Sequence, residues 1–157
     1  MGFDKIGDKL TKEKNMGLDQ HAHLRGKKVD WEKYYNENNY GEENNIFVWR
    51  KHARLQQFMS AKWDEQNQHH KHAGHLAHLG FNGDQDTPVY ITEKVAKELA
   101  EQIQEGFKDY VAEDGFFWGQ QFQEESVKEY KEQDIKFLKF CEQAINDKKV
   151  VEYWCSW

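Results

Sequence analysis

Asp19, His21 and His23 stand two residues apart in the stretch MGLDQHAHL, Met16 to Leu24. Alternate residues of an extended chain share a face, so these three side chains converge if the stretch is a strand. Met16, Leu18, Ala22 and Leu24 then take the opposite face, with Gln20 as the polar exception. An HxH pair beside a carboxylate can give zinc three ligands and leave a fourth position for water, which is the arrangement of a catalytic zinc site. The competing reading makes the histidines stacked wall residues and pairs Asp19 with a base. No HExxH motif accompanies them.

Trp49, Arg50 and Lys51 form the second chemical cluster. They are expected at the start of the main helix, where free amide donors and the helix dipole favour an anion and Arg50 adds a planar fork of donors. A phosphate, a carboxylate or a nucleotide would suit such a pocket; alternatively Arg50 pairs with Asp19 and holds strand against helix. In GFFWG, Gly115 to Gly119, three adjacent rings cannot all point inward. At least one, Phe117 if its neighbours are buried, should face a cleft or a partner, either as a stacking loop or beside a core plug. The tract HHKHAGHLAH places His72, His75 and His78 at every third position, but Gly74 weakens a helix there, and a solvated helix end is favoured over a metal site for the tract. Any zinc is expected on the Asp19, His21 and His23 face. Cys155 would need an adjacent base to act as a nucleophile; a buried inert thiol is the simpler reading.

These residues need elements to hold them. Met16 to Leu24, TPVYI and the closing VVEYWCSW read as strands, the last with cover on both faces and so interior to its sheet. Apolar positions from Trp49 to Trp63 follow helical spacing and predict a helix over Trp49 to Asn67. Thr92 is placed to cap a helix over Glu93 to Glu105 that stops at Gly106. Ser126 to Glu129 has capping-box spacing ahead of a helix over Val127 to Ile145. RGKKVDWEKYYNENNYGEEN, rich in Asn and charge yet carrying Trp31, Tyr34, Tyr35 and Tyr40, reads as a long ordered loop or a short helix packed through its rings. The expected architecture is a single α+β domain over residues 16–157, a small mixed sheet covered by about three helices, with a loop insertion at about 25–46 and a mobile arm over 1–15.

Composition sets the outer limits. The 157 residues suffice for one domain with a real core. Ten Phe, seven Tyr and six Trp make large rings its main material. A net charge of −6 without a basic block argues against duplex nucleic acid as a partner. No apolar run spans a membrane and the start lacks a signal-peptide core, while Cys141 and Cys155 form no CxxC pair, which together suggest a soluble protein of a reducing cytoplasm.

Several motifs recur in order: GLD at Gly17 to Asp19, WRKHARLQQFM from Trp49, FN at Phe81 and Asn82, VYIT at Val89 to Thr92, GFFWG, and YWCSW at the end. Together they resemble a family of small bacteriophage and prophage proteins that open with GLDMY, carry a WRK helix, FN, a V-x-LT helix start and an FFFG or FFWG loop, and close on Y-x-SWW. The resemblance covers Gly17 to Trp157, with an insertion around Val29 to Asn45. The family's biochemistry is not established; the label phosphoglycerate kinase given to some members finds no GxxxxGK[ST] loop here, nor the length of a two-domain kinase. Where the family is aromatic this chain has His21 and His23, so a metal role for them would be particular to it.

The resemblance implies a phage accessory protein acting in the infected host's cytoplasm. The leading expectation is binding of a small anionic or nucleotide-like ligand by Asp19, Trp49, Arg50, Lys51, Asn82, Phe117 and Trp118. A metal-dependent hydrolase using Asp19, His21 and His23, and a modulator that grips a host protein through its aromatic loops, are the alternatives.

Overall fold

The computed structural model describes residues 18–69, 87–112 and 120–156. The expected arm over 1–15, the histidines from His70 to His78, Asn82, Phe117, Trp118 and Trp157 lie outside them. The described residues form an α+β unit built on a four-stranded antiparallel sheet. Its strands are β1 (Asp19–Leu24), β2 (Phe47–Arg50), β3 (Val89–Tyr90) and β4 (Val151–Ser156), in the order β2-β1-β4-β3. β4 is interior, as its two covered faces require: Val151, Tyr153 and Cys155 point into the core, and Glu152 on the other face is also buried. β1 lies beside it, pairing Gln20 with Cys155 and Leu24 with Val151.

The longer helices pack on the core face of this sheet, and the insertion between β1 and β2 sets its rings against the other. Between β1 and β2 the insertion folds into two short helices, α1 (Trp31–Asn36) and α2 (Tyr40–Glu43). Asp30 caps the first by accepting from the Lys33 amide at 3.1 Å. The main helix, α3, runs from Ala53 to Gln66 and not from Trp49. Phe47, Val48 and Trp49 are β-formers and take the edge-strand position beside β1, Lys51 turns the chain at a φ of 58°, and buried His52 becomes the cap, its Nδ1 accepting from the Leu55 amide at 3.5 Å. Helix α4 (Glu93–Glu105) has the predicted bounds. Thr92 accepts from the Val95 amide, and Gly106 closes the helix in the left-handed region at a φ of 70°.

The last helix, α5, spans Gln120–Asn146 and so begins before the expected Val127. Ser126 does not cap it. That residue is buried within the helix, its hydroxyl donating to the Lys51 carbonyl at 3.4 Å, while Gln123 ties the first turns to the Ala112 backbone through bonds of 2.9 and 3.2 Å. Ser-x-x-Glu reads as a start signal only when nothing upstream can stay helical, and here tertiary contacts keep the upstream turns wound.

Large rings fill the core: Trp49, Trp63, Tyr153, Phe58, Phe107 and Phe137 are fully buried. Among them runs a chain of buried polar groups. The Trp49 indole N–H donates to Asp134 Oδ1 at 2.8 Å, and His52 Nε2 meets Asp134 Oδ2 at 2.9 Å. Because His52 Nδ1 accepts from an amide, its Nε2 carries the proton and donates to the carboxylate. Gln20 brackets the His52 backbone, accepting from its N–H at 2.9 Å and donating to its C=O at 3.1 Å. It also donates to the Tyr153 hydroxyl, which donates to Gln56, whose amide reaches Cys155 Sγ at 3.1 Å. Gln20, the exception to β1's alternation, is thus a core residue.

Removing the acceptor should cost more than any single contact it makes, because both buried N–H donors lose their partner. Asp134→Ala is expected to lower stability by about 3 kcal/mol or more, read as a shift in the urea midpoint. A second consequence concerns pH. Burial holds the Cys141 thiol and the Tyr153 phenol well above the values near 9.0 and 10.0 that free thiols and phenols show. The unfolded chain therefore gives up these protons first, and their contribution to stability, whole below pH 9, is lost as pH rises past about 9 and then about 10. Urea midpoints measured from pH 7.5 to 11 should fall in that window, and Cys141→Ala should remove the earlier part of the fall.

Candidate functional site

Strand alternation decides where Arg50 points. Trp49 is drawn into the core by Asp134 and Phe137, so its neighbour Arg50 must take the opposite face of β2. The backbone there is clamped: the Arg50 N–H donates to the Tyr130 hydroxyl at 3.0 Å, and that hydroxyl lies 3.3 Å from the Arg50 carbonyl as its donor. Tyr130 is itself stacked on His52, with ring centroids 5.5 Å apart. Burial raises its phenol pKa, so the hydroxyl stays protonated and keeps its place between the two backbone groups.

The guanidinium meets Asp19, its register partner across β1 and β2. Arg50 Nε lies 3.8 Å from Asp19 Oδ1, and the Arg50 side chain remains 48% exposed against 18% for Asp19. An ion pair through Nε leaves donors of the half-exposed guanidinium beyond the one that meets Asp19. The insertion supplies the wall opposite. Trp31, Tyr34 and Tyr35 form a cluster of edge-on and tilted rings, and Tyr34 is seated against Gly41, where even a Cβ would stand 2.8 Å from the Tyr34 ring. Burial raises the Tyr34 pKa while nearby Arg50 opposes the rise.

Two cavities open on either side of this ensemble and share Tyr34, Tyr35, Val48 and Arg50. The smaller, about 270 Å³, is bounded by Asp19, His21, Trp31 and Ser156. The larger, about 800 Å³, extends to Phe47 and to the α5 face bearing Glu129, Glu132, Gln133, Lys136 and Phe140. Gln133 anchors that helix face by donating to the Val48 carbonyl at 2.6 Å. Rings, amides, carboxylates and two cations facing one cleft can orient a small polar ligand.

The expected residues sort by this geometry. Asp19 and Arg50 come together in the cleft. Arg50 is not at a helix N-terminus, because it ends β2 and the helix opens three residues later at Ala53. Trp49 is wholly buried and serves the core. Lys51 occupies the left-handed turn and lines neither cavity. His21 borders the small cavity, stacked on His23 at 5.7 Å and edge-on to Trp31 at 5.0 Å, as a ring wall. His23 is buried, its Nδ1 3.0 Å from the Leu24 carbonyl. Among the described residues no group of three or more His, Cys, Asp or Glu side chains is arranged to hold a metal ion. Cys155 is buried against the Gln56 amide, and Cys141 is buried with its thiol pKa raised.

Sequence reasoning missed Tyr130, Glu129, Glu132, Gln133 and Lys136. Their spacing on α5 is that of any exposed helix flank, and only the contact with β2 turns it into a wall. Among the described residues no helix is long and apolar enough to cross a membrane. No known protein family, curated protein or solved structure matches this chain.

Proposed function

We propose that this protein binds a small anionic or nucleotide-like ligand in the cleft around Arg50, as an accessory protein in the cytoplasm of a phage-infected host. One observation carries the binding reading: a guanidinium whose backbone is clamped by Tyr130 stands half-exposed where two ring-walled cavities meet. The clamp limits the ordering that a ligand must impose on the chain, and the exposed fork supplies paired donors to a carboxylate, a phosphate or a keto edge. The larger cavity falls in the size range of small-molecule sites. Four carboxylates, those of Asp19, Glu37, Glu129 and Glu132, share the lining with Arg50 and Lys136, which favours a ligand of low negative charge over a polyphosphate.

Ligand binding and folding should separate at Arg50. Because the Arg50 side of its ion pair is half-exposed and the separation is 3.8 Å, Arg50→Ala is expected to change unfolding free energy by about 1 kcal/mol or less. Binding should fall tenfold or more, read by thermal-shift titration of whichever ligand a panel of nucleotides, sugar phosphates and carboxylates identifies. Arg50→Lys should recover little of it, since an ammonium lacks the fork, and Lys51→Ala should leave binding near wild type. A large stability loss for Arg50→Ala with no separate binding defect would show the Asp19 and Arg50 pair to be scaffold.

A further inference from the structure

We infer that the occupant of the cleft is a short peptide-like zwitterion, with its carboxylate on Arg50 and its ammonium on the carboxylates of the α5 wall; this rests on the ligand-binding reading above. The first argument is charge. Carboxylates outnumber cations in the lining by four to two, so a ligand that brings only negative charge meets net repulsion. A zwitterion meets complementary charge at both ends. The second is placement. Tyr130 joins α5 to the Arg50 backbone, and the helical turn carrying Glu129 and Glu132 lines the same cavity as Arg50. Those two residues are three apart, about 4.5 Å along the helix axis and on neighbouring rows, so both carboxylates can address one ammonium. Lys136, one turn past Glu132, offsets part of that charge at the far end of the row.

The third argument is the wall itself. Tyr34, Tyr35 and Phe47 border the same space, and aromatic faces attract an ammonium while burying apolar side chains. A cavity of about 800 Å³ joined to one of about 270 Å³ has room for two residues with large side chains. Amide groups of Asn38 and Asn45 border the larger space, where a peptide bond has donors and acceptors to match.

Isothermal titration with tyrosyl-tyrosine, its N-acetyl form, its C-terminal amide and ATP tests this, because the three dipeptide forms share size and rings and differ only in end charge. The free dipeptide should bind at least tenfold more tightly than either blocked form, and ATP should bind more weakly than the free dipeptide. Glu129→Gln combined with Glu132→Gln, both exposed positions, should cost the free dipeptide tenfold or more and leave the N-acetyl form unaffected. N-acetyl dipeptide or ATP binding as tightly as the free dipeptide, with loss in Arg50→Ala, would overturn the zwitterion and leave the anion reading standing. Absence of binding by every dipeptide form also overturns the inference. Dipeptide binding that is indifferent to Arg50→Ala would overturn both.

Discussion

The buried carboxylate of Asp134 holds the rest of the arrangement in place. It projects from the middle of α5 and accepts from two donors that flank one turn, the indole of Trp49 before it and the imidazole of His52 after it. A charge removed from water is tolerated only when its acceptor sites are filled, and here two rigid rings fill them. The two residues between those rings therefore have little freedom. Arg50 is forced outward by alternation, Lys51 absorbs the reversal at a positive φ, and His52 opens the helix. The position of the guanidinium is thus a consequence of core chemistry on the opposite face of the same strand.

A second layer of the same network extends the constraint across the sheet. Gln20 pairs with both backbone groups of His52 and hands its remaining hydrogen toward Tyr153, so β1, the β2 turn and β4 are bonded through side chains as well as through the ladder. β1 and β4 come from distant parts of the sequence, with Gln20 opposite Cys155, and a sheet whose central pair is this remote carries a high loop-closure cost until the helices between are in place. Satisfied polar contacts inside the core add specificity to that pairing, because a one-residue slip of β1 would bury His21 and expel Gln20.

The cleft is then a meeting of two unlike walls. One is the insertion, whose small helices bury no residue on the first of them and depend on rings packed edge-on against each other and on Gly41 beneath Tyr34. The other is a continuous helix of the core. A wall of modest packing facing a wall of high packing places any adjustment to a ligand on the insertion side, where few buried contacts oppose movement.

Much of the fold was legible before any coordinates, and the reason differs by element. Helix α4 could be bounded to the residue because its signals are local: a threonine whose oxygen reaches the amide three residues on, and a glycine able to adopt the left-handed cap. The interior place of β4 followed from alternation that leaves neither face polar. The pairing of Asp19 with Arg50 was accessible as a charge complement. The opposite holds where tertiary contacts override local preference. IFVWRKHARL carries both strand and helix periods, and its division at Lys51 is made by Asp134, more than eighty residues away. Ser126 imitates a cap because its spacing is right, yet burial against Lys51 and the anchoring of Gln123 keep the helix wound before it. Gln20 looked like a lapse in an apolar row and is the junction of the core. Sequence by itself determined the α+β class, the caps of α4, the aromatic material and the separate polar residues. Only the tertiary structure decided which of those residues face a common space, because that depends on the register of strands and on the rotation of α5 about its axis, and no local spacing encodes either.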